Sequence, residues 1–216
     1  KIKGDMFEVQ DEGSQLMTLL IGVEKNMKIL DMCAGKGTKT ILMSNLLKSE
    51  GTITAYDKIN ERLNILKSRV NKLKLKNINF DFDMKSKDQF DVVLCDVPCS
   101  GTGIWRRRPE NIIWLNNEEL EKFKFVQNNI LLNAANLCKV GGKIVYITCS
   151  LLYDENEFQI KAFLNNCKNF EVINFREDIK KYLQKEIFKY NKFGLTLTPD
   201  VLNTDGYFIS LLKKTA

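Results

Sequence analysis

Strand-length apolar runs alternate along the chain with longer segments in which apolar residues recur at helical spacing. The strand-length runs lie at 27–32, 52–57, 78–82, 90–96 and 144–148. The segments with helical spacing lie at 14–21, 38–48, 60–73, 118–138 and 154–164. Strands that alternate with helices in this way are typical of an α/β domain built on a mainly parallel sheet.

The last part of the chain follows a different pattern. Two further strands are predicted at 170–175 and 206–212, and a long irregular segment rather than a helix separates them, which indicates an antiparallel ending. Residues 177–205 carry no clear periodicity. Asp154 followed by Glu157 has the spacing of a capping box, which predicts that the helix of 154–164 begins at this pair.

The length and composition agree with one ordinary globular domain. The chain has 216 residues, of which 44% are hydrophobic and 28% charged, and this excludes disordered and disulfide-scaffold classes. No apolar run approaches the roughly 18 residues that a membrane span needs. Residues 1–13 lack the apolar middle of a secretory signal. We therefore expect a cytoplasmic protein with no membrane partner.

The charge is modestly basic and unevenly distributed. The 33 Lys and Arg against 27 Asp and Glu give a net charge of +6, which permits a polyanionic partner. Three of the few arginines stand together at Arg106, Arg107 and Arg108. Planar guanidinium groups suit phosphate better than ammonium groups do, so this run is a candidate RNA contact. A solvated charge run is the alternative.

The cysteines and histidines exclude several kinds of site. The chain has six cysteines without a paired CxxC spacing and no histidine. Cys/His zinc sites, Ser-His-Asp triads and Cys-His nucleophiles are therefore excluded, and we expect no metal. Acid–base chemistry would have to use Asp, Glu, Lys, Tyr or Cys.

The first loop after a predicted strand has the features of a nucleoside site. Gly35 and Gly37 lie between a strand and a helix, in the segment DMCAGKGTKT, where the backbone can approach a ligand closely. Asp57 ends the second strand twenty residues later, the separation at which an acid accepts hydrogen bonds from a ribose diol. A structural turn with a coincidental acid is the alternative. The loop matches neither GxGxxG nor the phosphate-binding GxxxxGK[ST] pattern, which disfavours a dinucleotide or a triphosphate.

Two cysteines follow neighbouring strands of the predicted sheet. Cys99 lies in the loop DVPCSGTG after the fourth strand, and Cys149 in TCS after the fifth. Because the carboxyl ends of parallel strands meet at one edge of a sheet, both thiols and Asp96 are expected to face one pocket. Inert packing of the two thiols is the alternative.

At these motifs the chain resembles the Sun-type RNA (cytosine-5) methyltransferases, and most of all their bacterial ribosomal RNA branch. The matching segments extend over nearly the whole chain: VQDEGSQL, LDMCAGKGTKT, DVPCSGTGIWRRRPE, YITCSLLYDENE and TDGYFISLLKK. The Cys99 and Cys149 blocks are specific to that family. The first loop departs from the family's usual CAAPGGKT, which leaves the affinity for cofactor open.

The resemblance implies a role for each matched residue. It implies Cys149 as the nucleophile, Cys99 as the cysteine that helps to release product, and Asp96 as an acid shared by the base pocket and the cofactor. It implies S-adenosyl-L-methionine as the methyl donor, bound by Cys33, Ala34, Gly35, Lys36, Gly37, Thr38, Lys39, Asp57, Asp96 and Asp83, with Asp81 as the alternative to Asp83. Glu155 and Asn156 belong to the same block and are expected to support the Cys149 loop.

The same resemblance implies the fold and the reaction. The expected fold is the Rossmann-like class I methyltransferase fold, with a mainly parallel seven-stranded sheet and an antiparallel C-terminal strand. Residues 1–216 would form the S-adenosylmethionine-dependent domain, without the N-terminal RNA-binding domain common in the family. The expected reaction is methylation of carbon 5 of a cytosine in RNA, ribosomal RNA first, through a covalent cysteine adduct. Transfer RNA methylation, DNA cytosine-5 methylation with Cys99 as nucleophile, and a decayed RNA-binding module are the alternatives.

Overall fold

The structure is a computed structural model that describes residues 9–84, 89–183 and 189–216. Part of the N-terminal segment judged for a secretory signal, residues 1–8, lies outside these ranges. The strands are β1 Lys28–Asp31, β2 Thr52–Ala55, β3 Ile78–Phe80, β4 Phe90–Asp96, β5 Cys138–Thr148, β6 Phe170–Val172, β7 Lys189–Asn191, β8 Gly194–Leu197 and β9 Tyr207–Lys214. The helices are α1 Glu12–Leu20, α2 Thr38–Leu46, α3 Asn60–Lys72, α4 Asn111–Trp114, α5 Asn117–Leu137, α6 Glu157–Asn166, α7 Arg176–Lys180 and α8 Pro199–Leu202.

One sheet organises the described residues. Its strand order is β3-β2-β1-β4-β5-β9-β8-β7, with β6 paired to β9. The pairs from β3 through β5 are parallel, whereas β9 runs antiparallel to β5, β8 and β6. The mainly parallel α/β fold with an antiparallel ending is therefore confirmed.

The sheet has nine strands in the described residues, whereas the sequence predicted seven. The two additional strands, β7 and β8, form an antiparallel hairpin within the segment that showed no periodicity. They have three and four residues, and β7 has no fully buried side chain. Strands of three and four residues are too short to leave a recognisable alternation in the sequence.

The start of strand β5 also differs from the prediction. Strand β5 begins at Cys138 and runs through Gly141 and Gly142, which were predicted to lie between a helix and a later strand. The register between β4 and β5 shifts near Phe90, and a Cβ at Gly142 would lie 2.9 Å from the Phe90 carbonyl oxygen, so glycine permits this close pairing.

The predicted capping box at Asp154 and Glu157 is wrong. Residues Tyr153–Glu155 form a 3₁₀ turn, and helix α6 begins at Glu157 with Asn156 as its N-cap and no side-chain capping bond. Asn156 instead bonds inward to the Cys149 loop. The tertiary hydrogen bonds of Asn156 therefore determine where this helix begins, rather than the local spacing of Asp154 and Glu157.

Helices cover both faces of the sheet. Successive residues of β1 alternate between two cores, because Ile29 packs with α1, α2 and α3 while Leu30 packs with α5 and α6. Strand β4 alternates in the same way, with Val92 on the first face and Val93 on the second. A strand buried on both faces is the pattern expected of a central parallel strand. Among the described residues, no helix has both the length and the apolar character to cross a bilayer.

Candidate active site

The candidate site lies where the parallel strands end. Asp31 and Asp96 are the last residues of β1 and β4, and Thr148 is the last residue of β5. Asp57 follows β2 by two residues. Parallel pairing of these four strands brings their carboxyl ends to one edge of the sheet, where ligands bind in open α/β folds.

The two cysteines predicted to share a pocket are in contact. The Sγ atoms of Cys99 and Cys149 lie 3.3 Å apart, and both side chains are partly buried. The hydrogen bond between the two raises the pKa of Cys99 well above its ordinary value, and burial adds to this. The same bond lowers the pKa of Cys149, and it outweighs the opposing effect of burial. The opposite directions of these shifts favour Cys149 as the sulfur that becomes a thiolate more readily.

A buried carboxylate fixes the loop that carries Cys99. Glu155 is fully buried, and its Oε1 accepts hydrogen bonds from the Ser100 backbone N–H at 2.9 Å and from Gln127 Nε2 at 2.9 Å. The Ser100 hydroxyl donates to the other carboxylate oxygen. Gln127 also donates to the carbonyl oxygen of Pro98 at 3.0 Å. Because a buried carboxylate is costly without such donors, the residues on either side of Cys99 are held in one arrangement.

The loop that carries Cys149 is fixed in a similar way. Asn156 accepts a hydrogen bond from the Thr148 hydroxyl at 2.6 Å and donates to the Ser150 carbonyl at 2.9 Å. The Ser150 hydroxyl lies 3.1 Å from that of Thr102 and 3.2 Å from that of Ser100, which joins the two cysteine loops. Asn156 therefore bonds to the Cys149 loop, as expected of it, whereas the Glu155 carboxylate bonds to the Cys99 loop rather than to the Cys149 loop.

A third loop closes against the two cysteine loops through glycine. The Gly103 N–H donates to the Cys149 carbonyl at 2.9 Å, and the Gly206 N–H donates to the Gly103 carbonyl at 2.8 Å. A Cβ at Gly103 would lie 2.2 Å from the Gly206 carbonyl oxygen. This backbone contact admits no side chain, so it explains both glycines in the motifs that contain them.

Asp96 is paired with a lysine from the first loop's helix. The Lys39 ammonium donates to Asp96 Oδ2 at 2.6 Å, and its side chain is only 11% exposed. Burial lowers the pKa of Lys39, but the Asp96 carboxylate outweighs burial and raises it above its ordinary value. The Lys39 charge also lowers the pKa of Cys149. Residues 57 positions apart in the chain thus form a fixed ion pair beside the thiols.

The first loop has the geometry expected of a ligand-binding turn. Gly35 and Gly37 adopt positive φ angles of 55° and 89°, and a Cβ at Gly37 would lie 1.9 Å from Leu66 Cδ1. The Asp57 carboxylate accepts from the Gly35 N–H at 2.8 Å and from the Ile59 N–H at 2.8 Å. These two bonds fix the carboxylate at the end of β2 against the loop. The remaining predicted loop residues are adjacent: Cys33 and Ala34 end the strand turn, Lys36 lies at the tip, and Thr38 begins α2.

Asp31 is a buried carboxyl that the sequence reasoning did not assign a role. It is 1% exposed, and its Oδ2 accepts from the Thr40 hydroxyl at 2.7 Å. Its Oδ1 has no hydrogen-bond partner in the described part of the chain. Burial raises the pKa of Asp31 to about 7. Its position at the end of β1 was the only signal available in the sequence.

The acids after β3 occupy different environments. Asp81 follows Phe80 directly and donates its N–H to the Ala55 carbonyl at 3.0 Å, which extends the parallel pairing with β2. Asp83 is exposed, and its N–H donates to the Asp81 carboxylate at 3.2 Å. Asp81 is thus the acid at the strand end, and Asp83 lies further out.

The three arginines have different surroundings. Arg107 donates from Nε to both carboxylate oxygens of Asp205 at 2.9 Å, and its Nη2 also pairs with that carboxylate. Asp205 has a side chain with no exposed surface, and it raises the pKa of Arg107 above its ordinary value. Arg106 lies 3.9 Å from the same carboxylate, whereas Arg108 is exposed. Asp205 is therefore the partner of two arginines of the run, Arg107 closely and Arg106 at a longer distance, which the sequence alone did not reveal.

Known proteins are similar to this chain in sequence and in fold. A ribosomal RNA small subunit methyltransferase B of Proteus mirabilis is 36% identical over 213 residues, which cover 95% of this chain and 46% of that protein. The 25S rRNA (cytosine-C(5))-methyltransferase nop2 of Schizosaccharomyces pombe is 30% identical over 221 residues, which cover 95% of this chain and 36% of that protein. The crystal structure of NSun6 from Pyrococcus horikoshii with SFG superposes with a TM-score of 0.81 at 26% identity, over 96% of this chain and 53% of that one.

The similarity covers most of this chain but only part of each relative. The chain spans about half the length of the small subunit methyltransferase B relatives that it matches, 46–48%. The resemblance to the Sun-type enzymes and the class I methyltransferase fold are both confirmed. The family model for the 16S rRNA methyltransferases RsmB/F matches residues 17–213, and the chain belongs to that family.

Proposed function

We propose that residues 1–216 form an S-adenosylmethionine-dependent domain that methylates carbon 5 of a cytosine in RNA, with ribosomal RNA as the substrate class. The observation that carries the proposal is the pair of sulfur atoms 3.3 Å apart at the ends of β4 and β5, beside the Lys39–Asp96 pair. The names of the relatives, which specify ribosomal RNA and cytosine C5, support it. Their bacterial members also support a cytoplasmic location.

The residues at the strand ends fit an S-adenosylmethionine molecule. Asp57 uses each carboxylate oxygen once for a backbone N–H, so each keeps a lone pair for a ribose hydroxyl. The unpartnered Oδ1 of Asp31 provides a buried acceptor near the first loop. We assign Asp81 rather than Asp83 as the acid after β3, because Asp81 lies at the strand end. SFG, present in the related crystal structure, is an analogue of S-adenosylmethionine.

Cys149 is the nucleophile in this proposal. Carbon 5 of cytosine is a weak nucleophile until a thiolate adds at carbon 6, which turns the ring into an enamine. The Cys99 thiol and the Lys39 ammonium both lower the pKa of Cys149, so the attacking sulfur is supplied without a histidine. S-adenosylmethionine, when bound, supplies a methyl group on a positively charged sulfur.

The Lys39–Asp96 pair stabilises the cytosine ring. The carboxylate can accept a hydrogen bond from the exocyclic amino group, and the ammonium has two N–H donors besides the one that Asp96 takes. Negative charge develops on the ring when the thiolate adds, and a fixed cation beside it lowers the energy of that state. A cytosine within a duplex cannot reach the thiol, so the target must be unpaired or flipped.

Cys99 completes the cycle by removing the proton from carbon 5. Its pKa is raised chiefly by the hydrogen bond to Cys149. Once the Cys149 sulfur is bonded to carbon 6, that sulfur carries no charge, and the pKa of Cys99 falls towards its ordinary value. Cys99 then loses its own proton to solvent, and its thiolate takes the proton from carbon 5. The electron pair left on carbon 5 forms the carbon 5–carbon 6 double bond, and Cys149 leaves as a thiolate.

The proposal is tested by sequencing and by separate cysteine variants. Bisulfite sequencing of total RNA with and without the protein should show one or more protected cytosines. Cys149→Ala should abolish the modification, whereas Cys99→Ala should accumulate a covalent protein–RNA adduct that denaturing gels detect. Methylation by Cys149→Ala, with no adduct from Cys99→Ala, would assign the nucleophile to Cys99 instead. No modification and no binding of S-adenosylmethionine by the intact chain would indicate a decayed RNA-binding module.

A further inference from the structure

A pocket adjoins the candidate active site on the side of Cys99. It has a volume of about 410 Å³ and is lined by Cys99, Ser100, Asn111, Trp114, Leu115, Asn116, Glu119 and Phe123. Cys99 belongs to both regions, whereas Cys149, Lys39 and Asp96 do not line the pocket. The proposed reaction uses none of the pocket's other side chains except Ser100, which holds the Cys99 loop.

The walls of the pocket combine aromatic surface with amide groups. Trp114 is 73% exposed although it lies beside a buried loop, and Phe123 provides a second aromatic wall. The Asn116 carbonyl oxygen accepts from the Glu119 N–H at 2.9 Å. Within residues 9–84, 89–183 and 189–216, the N–H groups of the Asn116 side chain and the Asn111 side-chain amide have no hydrogen-bond partner. An exposed indole beside unpaired amides is the composition that recognises an unstacked base.

The position of the pocket determines which base it would take. A target cytosine at Cys149 is extruded from its stack, and its covalent neighbours in the RNA chain lose that stacking partner. A neighbour must lie close to the cytosine, and the pocket begins at Cys99, whose sulfur is 3.3 Å from that of Cys149. The volume falls within the range of small-ligand pockets, about 300–1,000 Å³.

The charge beside the pocket agrees with a nucleotide. The Asn111 N–H bonds to the Arg108 carbonyl at 3.1 Å, so the exposed Arg108 lies directly before the helix that carries Trp114. Unlike Arg107, which pairs with buried Asp205, Arg108 has no ion pair within the described ranges. A guanidinium in this position suits the phosphate that joins two nucleotides.

We propose that this pocket binds the nucleotide directly adjacent to the target cytosine, with its base stacked on Trp114 and its edge facing the amides of Asn111 and Asn116. This inference rests on the proposed function. It makes Trp114 a residue that positions the RNA and gives the enzyme a preference for its flanking sequence.

A cycle of protein and RNA changes tests the proposal. The probe is a short oligonucleotide that contains the cytosine identified by bisulfite sequencing, prepared intact and with an abasic residue at the 5′ or the 3′ neighbour. Dissociation constants, KM and kcat are measured for the intact chain, for Trp114→Ala and for Trp114→Phe. The matched control is Ile113→Ala, because Ile113 is 80% exposed on the same short helix and does not line the pocket.

The expected result is a loss of RNA affinity that the two changes share. Trp114→Ala should weaken binding of the intact oligonucleotide roughly 5- to 150-fold, the effect of losing one base–aromatic stack. One of the two abasic oligonucleotides should bind the intact chain with a similar loss, and Trp114→Ala should add almost nothing to it. Trp114→Phe should retain most of the affinity, and Ile113→Ala should keep both the affinity and the full sensitivity to the abasic residue.

Two other outcomes would overturn the proposal in distinguishable ways. If the intact chain methylates the oligonucleotide but the Trp114 and abasic losses multiply, the pocket does not hold a neighbouring base while the proposed function stands. Equal effects of Trp114→Ala and Ile113→Ala, without coupling to the RNA, would indicate a general apolar contact such as a protein interface. If the intact chain neither methylates nor binds the oligonucleotide, the proposed function fails and this inference fails with it.

Discussion

The ion pair between Arg107 and the buried Asp205 carboxylate predicts that Arg107 stabilises the fold, whatever its part in RNA binding. Asp205 has no exposed surface, and Arg107 supplies three of its hydrogen bonds. Arg107→Ala removes those donors and, among the residues that the structure describes, leaves the buried carboxylate with only the Arg106 guanidinium, 3.9 Å away. The Asp205 N–H also bonds to the N-cap residue Asp11 at 3.3 Å, so the loss should reach the start of α1.

The size of the effect follows from how far the pair is buried. Removing one partner of a fully buried pair costs about 3–5 kcal/mol. The Arg107 side chain is 52% exposed, and Arg106 can partly replace it, so the value should be lower. We expect Arg107→Ala to lower the free energy of unfolding by about 2–3 kcal/mol. For a chain of this length that corresponds to a melting temperature about 4–12 °C lower.

Urea unfolding and RNA binding, measured on the same variants, check this expectation. Arg108→Ala is the matched control, and its free energy of unfolding should change by less than about 0.5 kcal/mol because Arg108 is exposed. Arg107→Lys keeps the charge but not the bidentate hydrogen bonding, so its free energy of unfolding should lie between those of Arg107→Ala and the unaltered chain. The reasoning is refuted if Arg107→Ala unfolds at the same urea concentration as the unaltered chain while its affinity for RNA falls.

Three further predictions follow from single contacts. Cys99→Ala should raise the pKa of Cys149, because it removes the hydrogen bond that lowers this pKa. Alkylation of Cys149, followed by mass spectrometry, should then reach its half-maximal rate at higher pH, and an unchanged midpoint would contradict the prediction. Burial raises the pKa of Asp31 to about 7, so the folded state binds a proton that the unfolded state has lost, and the free energy of unfolding should fall as pH rises from about 4 to 7. Asp31→Asn should flatten this pH dependence in urea unfolding, and an equal slope in both proteins would refute the raised pKa of Asp31. Gly37→Ala should lower the melting temperature and weaken S-adenosylmethionine binding in calorimetry, because Gly37 has a positive φ and Leu66 occupies the space that a Cβ would need. Gly141→Ala, also at positive φ but with open space around it, should lower the melting temperature less, and equal losses would mean that the Leu66 contact is unimportant.

The parts of the site that lie at strand ends could be predicted from the sequence. The strands were recognisable because apolar residues are contiguous at the centres of β1 and β4 and at 144–147 of β5. Parallel strands such as these end at the same edge of the sheet. That rule alone placed Cys99 near Cys149, although the two are 50 residues apart. The 3.3 Å contact between the two sulfurs depends on the conformations of the two loops, which the sequence did not predict.

Contacts between distant polar residues could not be predicted. Nothing in the spacing of Lys39 and Asp96 indicates an ion pair, and Lys39 was expected only among the cofactor-binding residues. Arg107 looked identical to its neighbours in the sequence, and only the three-dimensional position of Asp205 distinguishes it. Pairs of this kind depend on how loops meet, and such meetings leave no periodic pattern along the chain.

In the proposed mechanism, the contact between the two thiols takes the place of a histidine. A thiolate at neutral pH needs a nearby donor or cation held at a fixed distance, and histidine usually supplies it. Here the Cys99 sulfur lies 3.3 Å from the Cys149 sulfur, and the Glu155 carboxylate fixes the Cys99 loop through Ser100. Replacing Glu155 with Gln would keep the size of the side chain but remove the carboxylate that both Ser100 groups bond. The Cys99 donor would then be free to move, so the pKa of Cys149 should rise although Glu155 touches neither sulfur.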